Sequence, residues 1–416
     1  MDKEQPTAFY ITHNGDKDWL MQQLAEGNLF DFLPPLSMLK GEVFSNKTLQ
    51  YFIEEELRHD HFEITAGIKN KLSLSSSGEQ RKALLSYIIA KKTDYIIVEN
   101  VFDSLDKATR QTISSSLDQL AKDILLIQIF SRKDELLPCV ETIYIIDGNT
   151  TSSKLNRDEF ATSALVNLDD IFIGTIPPPL KTYNLQNGPL VKMKDAEVAF
   201  NGRTVLQKIC WEINCGEFWQ LVGPNGSGKS TLLSLITGNS SKGYGQDLFL
   251  FGNKKGSGET VWEIKAKIGY FTPTMAQQFE RQDSIEQMII SGFFDSVGLY
   301  IHPSDIQVQL AREWLKLIGM YEDRRQPFRM FPEGKQRMIL IARAMVKHPP
   351  LLILDEPTAG LDEEMAMLFT TLINKIAAET STTILYVSHK DEPGLSPDKI
   401  FELISTPNGA IGKIVK

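Results

Sequence analysis

The sequence predicts an α/β fold in which two units of similar design follow one another, the first of them truncated. Short apolar stretches alternate with helical patterns, a glycine-rich loop begins at residue 223, and several motifs occur twice at a constant spacing. A chain of 416 residues has room for two or three domains. We expect a truncated unit over 1–150, a connecting segment over 151–189 and a complete unit over 190–416.

The composition is that of an ordinary soluble protein, with 42% apolar and 23% charged residues. No apolar run approaches the roughly 18 residues that span a bilayer, and the start, MDKEQPTAFY, does not resemble a signal peptide. Three scattered cysteines suit a reducing cytosol, and the net charge of −9 argues against a large nucleic-acid footprint. We therefore expect a cytoplasmic protein without stable nucleic-acid binding; a membrane, if one is involved, belongs to a partner.

The N-terminal 150 residues carry the alternating pattern of an α/β unit. Residues 8–11, 95–98 and 124–130 are predicted to be strands, and residues 19–25 a helix. The following segment, 151–189, begins with polar residues and includes the proline run Ile176-Pro-Pro-Pro-Leu180. That composition is typical of a connection with extended character.

The glycine-rich loop fits G-x-x-x-x-G-K-[ST], and it lies between a predicted strand (218–222) and a predicted helix (229–237). The glycines let backbone N–H groups surround a phosphate at the positive end of the helix. Lys229 then reaches the β- and γ-phosphates, and the Ser230 hydroxyl ligates Mg²⁺. The sequence thus predicts a nucleoside triphosphate site with these loop residues: Gly223, Asn225, Gly226, Ser227, Gly228, Lys229, Ser230 and Thr231.

Most later motifs occur a second time, 256 residues earlier. Gly334-Lys-Gln-Arg337 aligns with Gly78-Glu-Gln-Arg81, and residues 352–357 align with residues 96–101. The stretch from 218 to 238 also aligns with 7 to 27, which places Asp18 where Lys229 binds phosphate. The repeated motifs indicate that the chain is a duplication. Because a carboxylate at position 18 repels a nucleotide, we expect the N-terminal copy to have lost phosphate binding.

Together these motifs resemble the ATP-binding cassette (ABC) ATPases, and the resemblance runs from near Leu190 to the end of the chain. It implies that ATP and Mg²⁺ are bound and that ATP is hydrolysed. By resemblance, Asp355 belongs to the Mg²⁺ shell, Glu356 acts as general base, and His389 contacts the γ-phosphate and the attacking water. Phe200 lies where the family stacks an aromatic ring on adenine, although an ordinary strand residue is an even alternative.

The family also requires a signature loop, Leu-Ser-x-Gly-Gln/Glu, that closes over the γ-phosphate held by the opposite cassette. The N-terminal copy keeps Ser76, Gly78 and Glu79, and its helix is predicted over 78–90. The C-terminal copy has Pro332 in place of the serine, which removes a hydroxyl and an N–H donor. The resemblance therefore implies one working composite site, made of the C-terminal phosphate loop and the N-terminal signature. Unrelated drift of the two copies is the alternative.

Three functions compete at this stage. The chain resembles soluble tandem-cassette family members that are named for molybdate transport or photorepair. This resemblance implies the first candidate, a subunit that energises a membrane permease on a separate chain. The second candidate is a non-transport ATPase acting on a ribosome, nucleic acid or other assembly, and the third is a scaffold that binds ATP without turnover. The family's Q-loop glutamine would fall near Pro273, which weakens the first candidate, with Gln277 or Gln278 as the open substitute. Glu356 and His389 argue against the third. The two copies are expected to pair within one chain, with a homodimer as the rival arrangement.

Overall fold

The computed structural model describes residues 5–12, 15–27, 35–59, 64, 71–102, 105, 107–162, 172, 174–183, 188–279, 282–389 and 392–416. The chain divides into two compact units. The first comprises Met1–Asn167 and Gly360–Ala366, and the second comprises Leu168–Ala359 and Met367–Lys416. In the described residues no helix is both long enough and apolar enough to cross a bilayer.

The first unit is built around a six-stranded sheet of order β2-β3-β4-β1-β5-β6, parallel except for the last pair. Its central strands are apolar because helices cover both faces, and every residue of β4 is buried. The elements are β1 (Thr7–Ile11), α1 (Lys17–Glu26), β2 (Gly41–Ser45), α2 (Asn46–His59), α3 (Ser77–Ala90), β3 (Tyr95–Glu99), α4 (Lys107–Leu120), β4 (Leu125–Phe130), β5 (Thr142–Asp147), β6 (Thr150–Asn156) and α5 (Arg157–Thr162).

The second unit has an equivalent six-stranded sheet, β12-β13-β14-β9-β15-β16, and a separate antiparallel sheet, β11-β10-β7-β8. Its strands are β7 (Val191–Phe200), β8 (Arg203–Ile213), β9 (Phe218–Val222), β10 (Asp247–Leu250), β11 (Asn253–Lys254), β12 (Ile268–Phe271), β13 (Leu351–Asp355), β14 (Thr383–Ser388), β15 (Lys399–Ile404) and β16 (Ile411–Ile414). Its helices are α6 (Lys229–Ile236), α7 (Val261–Ala266), α8 (Ile285–Ser291), α9 (Asp305–Leu317), α10 (Glu333–Met345) and α11 (Glu363–Glu379).

The two units share details of backbone conformation as well as strand order. Gly27 and Gly238, 211 residues apart, are both left-handed, with φ of 69° and 71°. Asn100 and Glu356, 256 residues apart, are non-glycine residues with φ of 42° and 48°. The antiparallel sheet has no counterpart among the described residues of the first unit. The predicted α/β fold, a duplicated phosphate-loop architecture with a truncated N-terminal copy, is confirmed.

The expected connecting segment, 151–189, differs from the prediction at its beginning. β6 pairs antiparallel with β5 at the sheet edge, and α5 follows it with Phe160 buried in the first unit. The polar sequence of β6 was wrongly predicted to be part of a connection, because an edge strand exposed on both faces needs few apolar side chains. The proline run is packed rather than free: Ile176 N donates to Glu379 Oε2 (2.8 Å), and His348 Nε2 donates to Pro177 O (2.7 Å).

Candidate active site

The glycine-rich loop connects β9 to α6 and has the conformation that phosphate binding needs. Gly226 and Gly228 have φ of 77° and 95°, which side chains disfavour. A Cβ on Gly228 would also lie 2.8 Å from Leu206 Cδ2, so the loop packs closely on β8. The predicted strand agrees with β9 (Phe218–Val222), and α6 begins at Lys229 as expected.

The ammonium group of Lys229 is folded back over the start of the loop. Its Nζ donates to Gly223 O (2.7 Å) and Pro224 O (3.3 Å), and the residue is 7% exposed. Burial lowers the pKa of Lys229, whereas the charges of Glu356 and Asp355 oppose that change. A bound polyphosphate would compete with two neutral carbonyls for this ammonium group, which favours the anion.

Hydroxyl groups in the loop fit the same ligand. Ser227 is 2% exposed, and its buried Oγ has no hydrogen-bond partner in the described structure. Ser230 is exposed in the first turn of α6, next to the half-buried Thr231, and Asn225 is exposed at the loop tip. A buried, unpaired hydroxyl beside a helix N-terminus suits a phosphate oxygen, since such groups are costly when unsatisfied.

Strand order brings the loop together with the acidic residues. β13, β14 and β9 are adjacent and parallel, with Asp355 opposite Val387 and Ser388 opposite Val222. The carboxyl ends of parallel strands meet at one edge of a sheet, where ligands bind in open α/β folds. The predicted residues that follow these strands, at 223–231, 355–356 and 389, therefore lie along one edge.

The two carboxylates at the end of β13 have different surroundings. Burial, followed by the charge of Glu356, raises the pKa of Asp355, and Tyr270 donates its hydroxyl to Asp355 Oδ2 (3.4 Å). Glu356 Oε1 lies 3.6 Å from Nδ1 of His389. Contact with His389 holds the pKa of Glu356 below its usual range, although burial opposes this change. Glu356 is therefore ionised beside a histidine, as a general base needs to be.

Phe200 lies at the end of β7, in the antiparallel sheet of the second unit. Its ring is 46% exposed, and Lys242 Nζ lies 5.9 Å from the ring centroid. The next strand, β8, carries Leu206 against the phosphate loop. An exposed aromatic ring on this hairpin is available for stacking on a base.

The N-terminal signature residues cap α3. Ser76 is the N-cap: its Oγ accepts from Glu79 N (3.4 Å), and Glu79 Oε2 accepts from Ser76 N and Oγ (both 2.8 Å). These hydrogen bonds lower the pKa of the exposed Glu79. The helix begins at Ser77, one residue before the prediction. The S-x-x-E spacing is the sequence signal for this capping box.

The corresponding position of the C-terminal copy is occupied by Pro332, the N-cap of α10, which makes no side-chain cap hydrogen bond. The two copies thus differ at this turn as the sequence predicts. Ser76 presents a hydroxyl at a capped helix N-terminus, and Pro332 presents neither a hydroxyl nor an N–H group.

The first unit holds an ion pair at the position of the second unit's site. Lys17 Nζ lies 2.5 Å from Glu99 Oε1, and Glu99 is the counterpart of Asp355. The sequence comparison drew attention to Asp18, which is exposed one residue further along α1. It missed the pairing of Lys17 because the two residues are 82 positions apart. A cation is present here, but it is paired with the carboxylate of the same copy.

Fold and site together define a nucleotide-binding protein of the phosphate-loop class. Residues 206–359 match the family model described as ABC transporter. ModF, an ABC transporter ATP-binding protein of Escherichia coli strain K12, is 36% identical over 372 residues, which make up 85% of this chain and 76% of ModF. The chain belongs to the ABC transporter ATP-binding protein family, whose members are ATPases.

Other comparisons agree with this assignment. YmeB of Lactococcus lactis, an uncharacterized ABC transporter ATP-binding protein, is 30% identical over 219 residues, covering 52% of this chain and 81% of YmeB. A crystal structure of the archaeal ribosome recycling factor aABCE1 with the ribosomal stalk protein aP1 has a TM-score of 0.64, covering 99% of this chain and 85% of that chain. At 13% identity, that likeness shows the fold alone.

Proposed function

We propose that the protein hydrolyses ATP at one composite site, made of the C-terminal phosphate loop and catalytic residues and the N-terminal signature. The observation that carries this proposal is that the two copies keep different motif residues of the family. The second unit combines the phosphate loop with the Glu356–His389 contact, whereas the first unit has an internal Lys17–Glu99 ion pair instead. Conversely, the hydroxyl and the acidic residue of the signature occur at these positions only in the first copy, at Ser76 and Glu79, whereas both copies keep the glycine.

Each residue of the site has a defined role in this proposal. Lys229 and the N–H groups of the loop bind the β- and γ-phosphates, and the ring of Phe200 stacks on adenine. Ser230 and Asp355 would hold Mg²⁺, which neutralises charge that develops on the phosphate oxygens. Glu356 accepts the proton of the attacking water, and His389 holds Glu356 in place and contacts the γ-phosphate.

The signature supplies the second part of the site. Ser76 presents a hydroxyl, and Gly78 presents bare backbone at the N-terminus of α3, an arrangement that favours an anion. Glu79 already accepts from the hydroxyl and backbone N–H of Ser76, so closure over the γ-phosphate has to redistribute these hydrogen bonds. We propose that the two copies pair within one chain; a homodimer that exchanges signatures is the rival arrangement.

We propose that ATP hydrolysis drives transport through a membrane permease on a separate chain. This protein would then lie in the cytoplasm at the inner face of the membrane. The supporting feature is a cavity of about 340 Å³ in the second unit beside the loop that follows β12. Exposed Trp262 lines it together with Gln278 and Phe279. Its charged lining is mainly basic, with Lys265, Arg343 and Lys347, although Lys347 is paired with Asp295 in the same lining (2.5 Å). A helix with apolar side chains and a carboxylate suits such a cavity.

The second candidate, action on a ribosome, nucleic acid or another assembly, is favoured by one substitution. Pro273, at the start of the short helix after β12, stands near the position at which transporters of the family carry the Q-loop glutamine that touches the permease; Gln277 and Gln278, at the end of the same helix, are the open substitutes. Proline has neither a side-chain amide nor a backbone N–H group.

A pull-down separates these two candidates. The full chain carrying Glu356→Gln, loaded with ATP, is expected to retain its partner because the closed state persists when hydrolysis is slow. A multi-spanning membrane protein, absent from a parallel pull-down with Lys229→Ala, supports the transport proposal. Ribosomal proteins or nucleic acid retained in the same ATP-dependent way would contradict it and support the second candidate.

A further inference from the structure

The catalytic Glu356 stands at the start of a tight turn that needs external support. Its φ of 48° lies in the left-handed region, which is unusual for a residue with a side chain. Its N–H donates to Val387 O (2.9 Å), and the N–H of Ala359 donates to Glu356 O (3.2 Å). A strained residue persists only where its surroundings fix it, and so the neighbours of this turn decide where the Glu356 carboxylate points.

Arg337 of α10 is attached to this turn. Its Nη1 donates to Pro357 O (2.8 Å) and to Ala359 O (2.6 Å), and its side chain is 3% exposed. The planar guanidinium suits this role because its donors have a fixed geometry. One buried side chain thus bridges two carbonyl groups within three residues of the general base.

Glu333 holds the other end of the guanidinium. It is the first residue of α10, four positions before Arg337, and its Oε1 forms an ion pair with Arg337 Nη2. Glu333 lies in the degenerate signature of the C-terminal copy, directly after Pro332. The turn that has lost the phosphate-binding serine therefore orients Arg337.

The N-terminal copy keeps the arginine, and its described partner is an asparagine of α2. Arg81, the counterpart of Arg337, donates from Nε (3.1 Å) and Nη2 (2.8 Å) to Asn46 Oδ1. The counterpart of Glu333 is Ser77, which has no carboxylate. The acidic partner of this arginine is thus found in the copy that carries the general base and not at the matching position of the other copy.

We infer that Arg337 is a positioning residue for hydrolysis: oriented by Glu333, it fixes the Pro357 and Ala359 carbonyls and thereby the direction of the Glu356 carboxylate. The C-terminal signature segment then helps to position the Glu356 carboxylate within its own cassette. This inference rests on the ATPase activity and on the role of Glu356, and it does not depend on the pairing with the N-terminal signature.

The test compares full-length variants by steady-state ATPase kinetics, by affinity for a slowly hydrolysed ATP analogue and by thermal unfolding. Arg337→Ala is expected to lower kcat on the order of 10- to 100-fold, because a small displacement of a catalytic group is that costly. Analogue affinity should stay within about twofold, since the phosphate loop is unchanged. Arg337→Lys should lie between the parent and Arg337→Ala, because its ammonium lacks the fixed fork.

Glu333→Gln provides the second arm, because Glu333 is largely exposed and the variant is expected to fold. It should lower kcat several-fold in the parent background and have no further effect in Arg337→Ala, since it acts only through Arg337. Lys335→Gln, exposed on the same turn of α10, is the matched control and should keep the parent kcat. An unchanged kcat in folded Arg337→Ala would overturn the inference, as would equal losses of kcat and analogue affinity. If Arg337→Ala does not fold, a parent-like kcat in both Arg337→Lys and Glu333→Gln would overturn it.

Discussion

Replacing Glu356 by glutamine is expected to lower ATP turnover by roughly 10²-fold or more while leaving ATP binding intact. The amide keeps the size of the carboxylate but cannot accept a proton from water at neutral pH. The affinity of the variant for ATP should be unchanged because Lys229 and the loop bind the phosphates independently of Glu356. Single-turnover hydrolysis and equilibrium binding of labelled ATP measure the two quantities separately.

Glu99→Gln is the matched control for that variant. Glu99 lies at the same edge of the first unit's sheet, next to the counterpart of Glu356, and its partner is Lys17. Loss of this partly exposed ion pair should change turnover by no more than about twofold. Parent-like hydrolysis in Glu356→Gln would show that another group acts as the base.

Lys229→Ala is expected to abolish measurable ATP binding. Charge-assisted hydrogen bonds are worth about 1.5–3 kcal/mol each, and loss of the ammonium removes contacts to two phosphates at once. The expected loss of affinity is at least about 100-fold. The parent protein should bind one MgATP per chain in calorimetry, and Lys229→Ala should show no residual site.

Lys17→Ala is the corresponding change in the first unit, and it should keep both the stoichiometry and the affinity of the parent. Lys17 is held by Glu99, so the proposal gives it no role in binding nucleotide. Two sites of similar affinity in the parent, or one intact site left in Lys229→Ala, would show that the first unit binds ATP.

The sequence predicted the fold well where strands are apolar and buried. The predicted strand at 218–222 has the bounds of β9, because a fully buried strand is bounded by polar and glycine residues. The strand β6, with the sequence TTSSKLN, was missed because five of its seven residues are exposed. An edge strand with little apolar surface looks like a linker, and only its pairing with β5 identifies it.

The residues of the candidate site could be located from the sequence where they belong to short motifs. The loop at 223–231, the Asp355-Glu356 pair and His389 each follow a recognisable strand, and strand order places all of them at one edge of the sheet. Arg337 and its carbonyl partners are 20 and 22 residues apart, and Lys17 is 82 residues from Glu99. Backbone carbonyls leave no mark in a sequence, and a distant ion pair has no fixed spacing. Such contacts become visible only in the folded chain.

The capping role of Ser76 affects how the central proposal is tested. Any change that removes the N-cap destabilises α3, typically by about 1 kcal/mol. Ser76→Asp avoids this problem because aspartate is a good N-cap, yet it places a negative charge where the proposal puts the γ-phosphate. A loss of turnover in a variant with the parent's thermal stability therefore reports on closure over the phosphate.

The most direct measurement is the ATP turnover of Ser76→Arg and Ser76→Asp compared with Pro332→Arg, with ATP affinity and thermal unfolding measured alongside. Both Ser76 variants should lose turnover at least about tenfold, because an ordered donor to the phosphate is lost, and both should still bind ATP. The turnover of Pro332→Arg should stay within about twofold of the parent, because Pro332 is an exposed N-cap that makes no side-chain hydrogen bond. Damage from Pro332→Arg that exceeds both that of the Ser76 variants and that of Glu333→Gln would contradict the account, because the working signature would then be the C-terminal one.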